Sequence, residues 1–473
     1  MHLIIYLVAL LEWFTTLSVE ITALRIFSPI IWVNSISTSI ILWVILLALS
    51  YGYYIWWKIS ARNQNIEKYL LRNLLFSSVY YFFITFIFAE FALQSFLLLI
   101  PSYFLALLIT SILLFFIPVF LASQTIPLLS EMLKWKHSWE KIWKLLFYST
   151  IWSFLWSVWT SVVLFPWLGV EKTAIISPLL LVICGLLLVV YMKSKIQKYL
   201  MSFIILIIFY TAILVSNIPN PENVIYKTSN VYHTINIYNN SENQRIFSMD
   251  RAYSSWINIE TWKSFFNYIK EIKQQIIQSK SENILIIWAA GFTLPNELSE
   301  INSIKNIDVI DIDKDLKEIS EKYFLQKELS DKINFYPESA RFYLNNLWDK
   351  KYDAVVVDAY SGQSLPPQLL TLEYFKQLSD ISDNIYLNII IDKNLYSNFS
   401  VKLFETVSQW FDWNIYYKNV NNTPDYHLTN IVILNKSNTE YWEYIQKNTE
   451  IYTDNINSIE WDLFELNNLR IKK

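Results

Sequence analysis

Apolar positions follow two rhythms along this chain, and the rhythm changes near residue 219. From Met1 to about Pro219 they form long, nearly unbroken runs; after Pro219 and Pro221 they come in short runs parted by Lys, Glu, Asp and Asn. A helix needs about 20 mostly apolar residues to cross a bilayer. Seven stretches are expected to do so, over residues 3–24, 34–57, 74–99, 103–130, 144–166, 173–192 and 199–217. The fourth, sixth and seventh hold no charged residue, whereas Glu12 and Glu20 lie within the first. That stretch has neither a basic leader nor a small-residue cleavage site, so it reads as a span rather than a signal peptide.

The second half has the pattern of an α/β domain. Val231–Tyr238 and Arg245–Met249 read as strands around a polar turn, Asn239–Asn243, and Trp262–Gln278 as a helix. Strands are then expected at Asn283–Ile287, Ile307–Ile312, Ile333–Tyr336, Ala354–Val357 and Asn384–Ile391. Helices are expected between them at Leu294–Glu300, Leu316–Tyr323 and Ala340–Asn346. This alternation predicts a mostly parallel, doubly wound sheet, whose ligands bind beyond the carboxyl ends of the strands. The expected organisation is a transmembrane domain over 1–217, a small β-rich subdomain over 222–260 and an α/β domain over 261–473.

Charge adds orientation. Lys58, Arg62, Lys68 and Arg72 follow the second stretch, Lys134, Lys136 and Lys141 the fourth, and Lys193, Lys195 and Lys198 the sixth. The positive-inside rule makes those gaps and the N-terminus cytoplasmic. Seven full spans would then put the second domain outside, unless one stretch is re-entrant or the first does not cross. Glu12, Glu20 and Glu90 sit within apolar stretches, where a carboxylate is costly and by default a candidate site for a cation or an amine. The plainer alternative pairs Glu20 with Arg25 and leaves Glu12 hydrogen-bonded inside the bundle. A net charge of -3 argues against a nucleic-acid surface. One cysteine, Cys184, excludes a disulfide framework, and four histidines without ligand spacing argue against a metal site.

Several segments resemble the spermidine synthases, above all their membrane-fused relatives. NILIIWAAGFTLP (283–295) is similar to their first βα turn, and DVIDIDKDLKEISEKYF (308–324) to their second strand and helix. ESARFYL (338–344) resembles their adenine-side segment, MDRAYSS (249–255) their short hairpin motif, and KYDAVVVDAYSGQSLPPQLLTLEYF (351–375) their catalytic strand and loop. In the first half, Glu20–Pro29 and Leu46–Trp57 also resemble these relatives.

The resemblance implies a multi-pass helical membrane domain followed by a Rossmann-like domain of the class I methyltransferase type, with a small β-hairpin region ahead of it. It implies aminopropyl transfer from decarboxylated S-adenosylmethionine to a diamine at the cell membrane, without a metal. The partners it implies are the lipid bilayer and a small-molecule amine, with no nucleic acid and the oligomeric state open. Asp358 becomes the proton acceptor, the alternative being a strand-end Asp that caps a loop. Asp311 becomes the ribose ligand, with Trp288, Ala289, Ala290, Gly291, Asp313, Glu338 and Ser339 around the cosubstrate. Tyr232, His233, Tyr360 and Ser361 become the amine side. The sequence departs from the family in three places: Ser361 stands where a second Asp follows the catalytic one, Ser339, next to Glu338, where the adenine-side Asp belongs, and no Tyr-His-Glu stretch precedes the first strand. Loss of these carboxylates weakens diamine recognition most. Two other readings stay open: an S-adenosylmethionine-dependent methyltransferase acting on a membrane-proximal acceptor, and a non-enzymatic amine transporter or sensor with a nucleoside-binding domain.

One imbalance bears on all of this. The chain has 5 Gly and 20 Trp, where roughly 7% Gly, about 30 residues, is ordinary. Against the family, Trp288 falls on the first glycine of the nucleotide turn, Trp56 and Trp57 on a Gly-Gly pair, and Trp13, Trp32, Trp152 and Trp256 on further glycine positions. Trp152 and Trp156 have the spacing of a small-residue helix contact. The pattern is that of a gene whose UGA codons mean glycine but are written as tryptophan.

Overall fold

The computed structural model describes every residue except 1, 28–34, 61–65, 101, 133–142, 144–146, 148, 149, 152, 153, 156, 157, 193–196, 216–222, 231, 241, 242, 251, 289, 348, 349, 360–365, 410–414, 421–427, 435–440, 446, 448, 456, 457, 472 and 473. The chain divides into two compact units, Met1–Pro219 with Thr228–Val231, and Asn220–Lys227 with Tyr232–Lys473.

The first unit is helical. Among the described residues, four stretches are long and apolar enough to cross a membrane: Leu3–Ile26, Ser35–Trp56, Tyr103–Ser130 and Thr160–Tyr191. Tyr199–Val215 is a shorter apolar helix, and the chain is also helical from Ile66 to Leu99, with wider π-type turns over Tyr81–Phe88. The break expected between 166 and 173 falls at Gly169, whose φ of 75° interrupts the helical path. Most of the expected 144–166 stretch lies outside the described residues. Ile5, Val8, Leu70, Leu74, Leu181, Cys184 and Leu188 form the buried centre. Polar groups there are matched between helices: Asn73 donates to Gln124 at 2.9 Å, and the Ser77 and Ser78 hydroxyls to the carbonyls of Pro118 and Pro178, each at 2.8 Å. Such bonds satisfy groups that hydrocarbon would leave bare. Glu12 is 2% exposed and accepts a 3.2 Å bond from Thr16, while Glu20 is half-buried. The Glu90 and Trp57 side chains, and Trp32, Trp152 and Trp156, lie outside the described set.

The second unit opens with a four-stranded sheet in the order β1-β2-β3-β4. Its strands are β1 (Val224–Ser229), β2 (Thr234–Asn240), β3 (Gln244–Met249) and β4 (Ala252–Asn258). The main sheet contains β5 (Asn283–Ile287), β6 (Asn306–Ile310), β7 (Ile333–Tyr336), β8 (Ala354–Val357), β9 (Ile385–Asp392), β10 (Tyr416–Asn419), β11 (Leu428–Leu434) and β12 (Trp442–Glu443). Its order is β12-β10-β11-β9-β8-β5-β6-β7. Strands β5 to β9 are parallel; β11 pairs antiparallel with β9, β10 with β11, and β12 with β10. This is the mostly parallel, Rossmann-like sheet that the sequence predicts, with an antiparallel extension at one edge. The apolar runs NILII and AVVV are buried because helices cover both faces of such a sheet.

One expected helix starts late. The stretch from Trp262 was expected to be helical, but the helix is Asn267–Gln278. Trp262 has a φ of 58°, and Ser264 bridges to Ile257 as a last rung of the β region. Backbone pairing there outweighs helical periodicity.

Candidate active site at the strand ends

Strands β7, β6, β5 and β8 end side by side. Ile287 of β5 is level with Ile310 of β6 and Val357 of β8, and Ile310 with Tyr336 of β7. The residue after each strand therefore emerges at one edge of the sheet. Trp288 donates its N–H to the Ile310 carbonyl at 2.8 Å, Asp358 to Ile287 at 3.1 Å and Asp311 to Tyr336 at 3.3 Å. Sheet register thus brings Trp288, Asp311 and Asp358 together from three distant parts of the sequence.

Asp358 is held by two neutral donors. The Tyr268 hydroxyl, on the helix before β5, donates to one carboxylate oxygen at 2.9 Å, and Asn388 of β9 donates to the other at 2.6 Å. Asn388 is itself fixed, its carbonyl accepting from Asn430 of β11 at 3.0 Å. Apolar groups, among them Val357, Ala359, Leu369, Leu387 and Phe375, line a small cavity with Asn388. Burial pushes the Asp358 carboxyl up to about 6, against the smaller lowering effects of the Asn388 and Tyr268 hydrogen bonds. A carboxyl in that range can accept and release a proton near neutrality.

The turn after β5 is sharply wound. Trp288, Ala290 and Phe292 have φ of 82°, 44° and 57°. Gly291 donates its N–H to the Ser255 hydroxyl at 3.1 Å, and its carbonyl accepts from Ser320 at 2.8 Å. A Cβ at 291 would lie 2.6 Å from the Phe324 ring and 3.0 Å from Ser255, so close approach requires glycine there. Beside the turn, the Asp250 carboxylate bonds His233 Nδ1 at 2.9 Å and accepts from the Thr234 N–H at 2.9 Å. The His233 and Trp288 rings meet edge to face with centres 6.0 Å apart.

The other expected residues divide. Asp311 and Asp313 are buried and form successive turns, Asp311 accepting from the Asp313 N–H at 3.0 Å and Asp313 from that of Asp315 at 3.1 Å. Glu338 is half-buried, while Ser339 caps the helix Ala340–Asn345 by accepting from the Phe342 N–H at 3.4 Å. Tyr232 is exposed and His233 buried. Ala289, Tyr360 and Ser361 lie outside the described residues. Among the described residues no group of three or more His, Cys, Asp or Glu is placed to hold a metal. Sequence reasoning missed Tyr268, Asn388, Asp250 and Ser255. Only Asn388 carried a local signal, as an amide in the middle of an apolar strand.

No family model matches the chain. It is 27% identical over 157 residues to the polyamine aminopropyltransferase of Vibrio vulnificus (strain CMCP6), covering 32% of this chain and 52% of that protein. It is 26% identical over 176 residues to the polyamine aminopropyltransferase of Alkaliphilus oremlandii (strain OhILAs), covering 35% and 59%. The chain thus spans about half the length of the curated relatives it matches. Among solved structures, a probable spermidine synthase from Corynebacterium glutamicum ATCC 13032 aligns with a TM-score of 0.42 and 12% identity, over 51% of this chain and 99% of that one. Over those spans the chain is similar in sequence to polyamine aminopropyltransferases.

Proposed function

We propose that this chain is a membrane-bound aminopropyltransferase that moves the aminopropyl group of decarboxylated S-adenosylmethionine onto a diamine. The observation that carries the reading is the Asp358 carboxyl, raised to about 6 by burial and held at the ligand edge by two neutral donors. In this reaction the amine nitrogen attacks the methylene bonded to the sulfonium. The C–N bond forms as the C–S bond breaks, the electron pair goes to sulfur, and methylthioadenosine leaves. An alkyl amine is mostly protonated at neutral pH, as Lys is with a pKa near 10.4, so it must shed one proton before its lone pair can attack, and the new secondary amine keeps the two that remain. Asp358 attracts the ammonium, accepts its proton and returns it to water. Asp311, at the end of the second parallel strand, is suited to the ribose hydroxyls. The four long apolar helices support placement in a membrane.

A second reading, methyl transfer from S-adenosylmethionine, draws on Ser361 and Ser339 standing where the family carries acids. One assay separates the two. The full chain purified in detergent from its native host, given each cosubstrate with putrescine, is expected to yield spermidine and methylthioadenosine from the decarboxylated form. Methyl transfer instead would move the assignment to the second reading. Inertness with both would leave an amine-binding role for the helical half, around Glu12 and Glu20.

A further inference from the structure

The turn after β5 carries the largest side chain where the backbone suits one least. Trp288 has a φ of 82°, a region glycine enters freely and a bulky residue almost never does. Its N–H is committed to Ile310 at 2.8 Å, so rotating out of the strain would break a bond to the sheet. Trp262 repeats the situation, with a φ of 58° and its N–H bonded to the Asn258 carbonyl at 2.8 Å. Arg245 lies over the Trp262 ring at 5.7 Å. Its guanidinium is also fixed by Asn239 at 3.0 Å and the Phe324 carbonyl at 2.6 Å, so it does not depend on the indole. Trp256 is a contrast: its indole N–H donates to Gln244 at 3.0 Å and its ring packs on Phe265 at 4.9 Å, within a regular strand. Among the described tryptophans, 288 and 262 are the two with a positive φ, which seven other described non-glycine residues share, and Trp288 has the largest φ of the nine, in a chain with 20 Trp and 5 Gly.

We infer that positions 288 and 262 are glycine in the protein its host makes, UGA codons being read as glycine, and that glycine at 288 opens the place of the nucleoside. The indole stands at the carboxyl end of β5 beside His233. That is where the backbone of a first βα turn must come close to a ligand. Without the indole, the space between the turn and the His233–Asp250 pair is free for the adenosyl moiety. The decoding stands on the backbone and the composition alone; its consequence for the ligand rests on the proposed function.

The experiment has two arms. Peptide mass spectrometry on protein from the native host reads position 288 in the tryptic peptide 281–305 and position 262 in 252–263. Glycine mass at both is expected, and tryptophan mass at 288 overturns the decoding. Calorimetry with methylthioadenosine then compares the full chain as written with its Trp288→Gly variant. The variant is expected to bind about tenfold more tightly or better. Equal affinity overturns the placement of the nucleoside even where the decoding holds. Tight binding by the variant without aminopropyl transfer supports the inference and defeats the proposed reaction, so the two failures are distinct.

Discussion

Two carboxylates, Asp308 within β6 and Asp358 just past β8, lie on either side of β5 and differ in what surrounds them. Asp308, within β6, is fully buried. It accepts from Tyr352 at 2.6 Å, Asn306 at 2.9 Å, Asn334 at 3.1 Å, Tyr343 at 3.3 Å and the Lys350 ammonium. Burial alone would raise its pKa, but the bonds from Lys350, Tyr352, Asn306 and Asn334 together hold it below the usual carboxylate range. Asp358, just past β8, has two neutral donors, and there burial prevails. Burial by itself therefore does not mark a site. A buried acid compensated by a cation and a full set of donors is locked in its charged form and ties strands together. A half-buried acid in an apolar setting and short of compensation is poised to change its charge.

The sharpest break in this comparison is Asp358→Asn. Transfer is expected to fall by roughly 10²–10⁴, the usual worth of a positioned general base. The fold is expected to gain. A carboxyl raised in the folded state contributes stability in its protonated form; that is fully present below the unfolded value of 3.8 and is lost as pH rises through about 6. At pH 7–8 the variant should be more stable than the parent by on the order of 2 kcal/mol, fading towards pH 4. Thermal melts across that range measure it. A variant that is less stable at pH 8 would put Asp358 in the same class as Asp308.

The mirror experiment is Asp308→Ala. It strands two tyrosine hydroxyls, two amides and Lys350 without their acceptor, at a cost of about 3 kcal/mol. Here the sign reverses. A depressed carboxyl contributes stability above its unfolded value of 3.8 that is lost as pH falls. The difference between parent and variant should therefore be full at pH 7 and shrink in acid. Denaturant unfolding at pH 7 and pH 4 tests this, and any turnover that survives should keep its pH profile.

These two acids also mark what the chain disclosed before its structure. Asp358 was legible because an apolar run, AVVV, ends at it, and strand ends in a parallel sheet face the ligand. Asp308 lies in IDVIDI, three residues before Asp311, with nothing local to announce Lys350 or Tyr352. The clamp on Asp358 was hidden for the same reason: Tyr268 is 90 residues away, and the helix carrying it begins five residues later than periodicity suggests, at Asn267 rather than Trp262. β1, β4 and the antiparallel strands β10 to β12 were missed as well. β11 carries an apolar run, IVIL, that was readable as a strand; the others are mixed in polarity, and their pairing is decided by partners far along the chain. The Trp288 anomaly was legible as composition, but only its φ shows that the backbone there has the form glycine takes.

The finest test of the comparison is at Asn388. Because its carbonyl accepts from Asn430, its NH₂ must face Asp358. That donor favours the ionised carboxylate, so removing it raises the pKa of Asp358 further above 6. For Asn388→Ala the acid limb of kcat/KM should move up by at most about one pH unit, a loss of about tenfold near pH 6 that nearly vanishes above pH 8. Tyr268→Phe should move the limb in the same direction, since its hydroxyl is the smaller of the two lowering effects. A loss that is equal at every pH would mean that Asn388 only supports β9. A limb that moves with the amide would mean that the asparagine pair sets the charge on Asp358, the part that Lys350 and the hydroxyls play for Asp308.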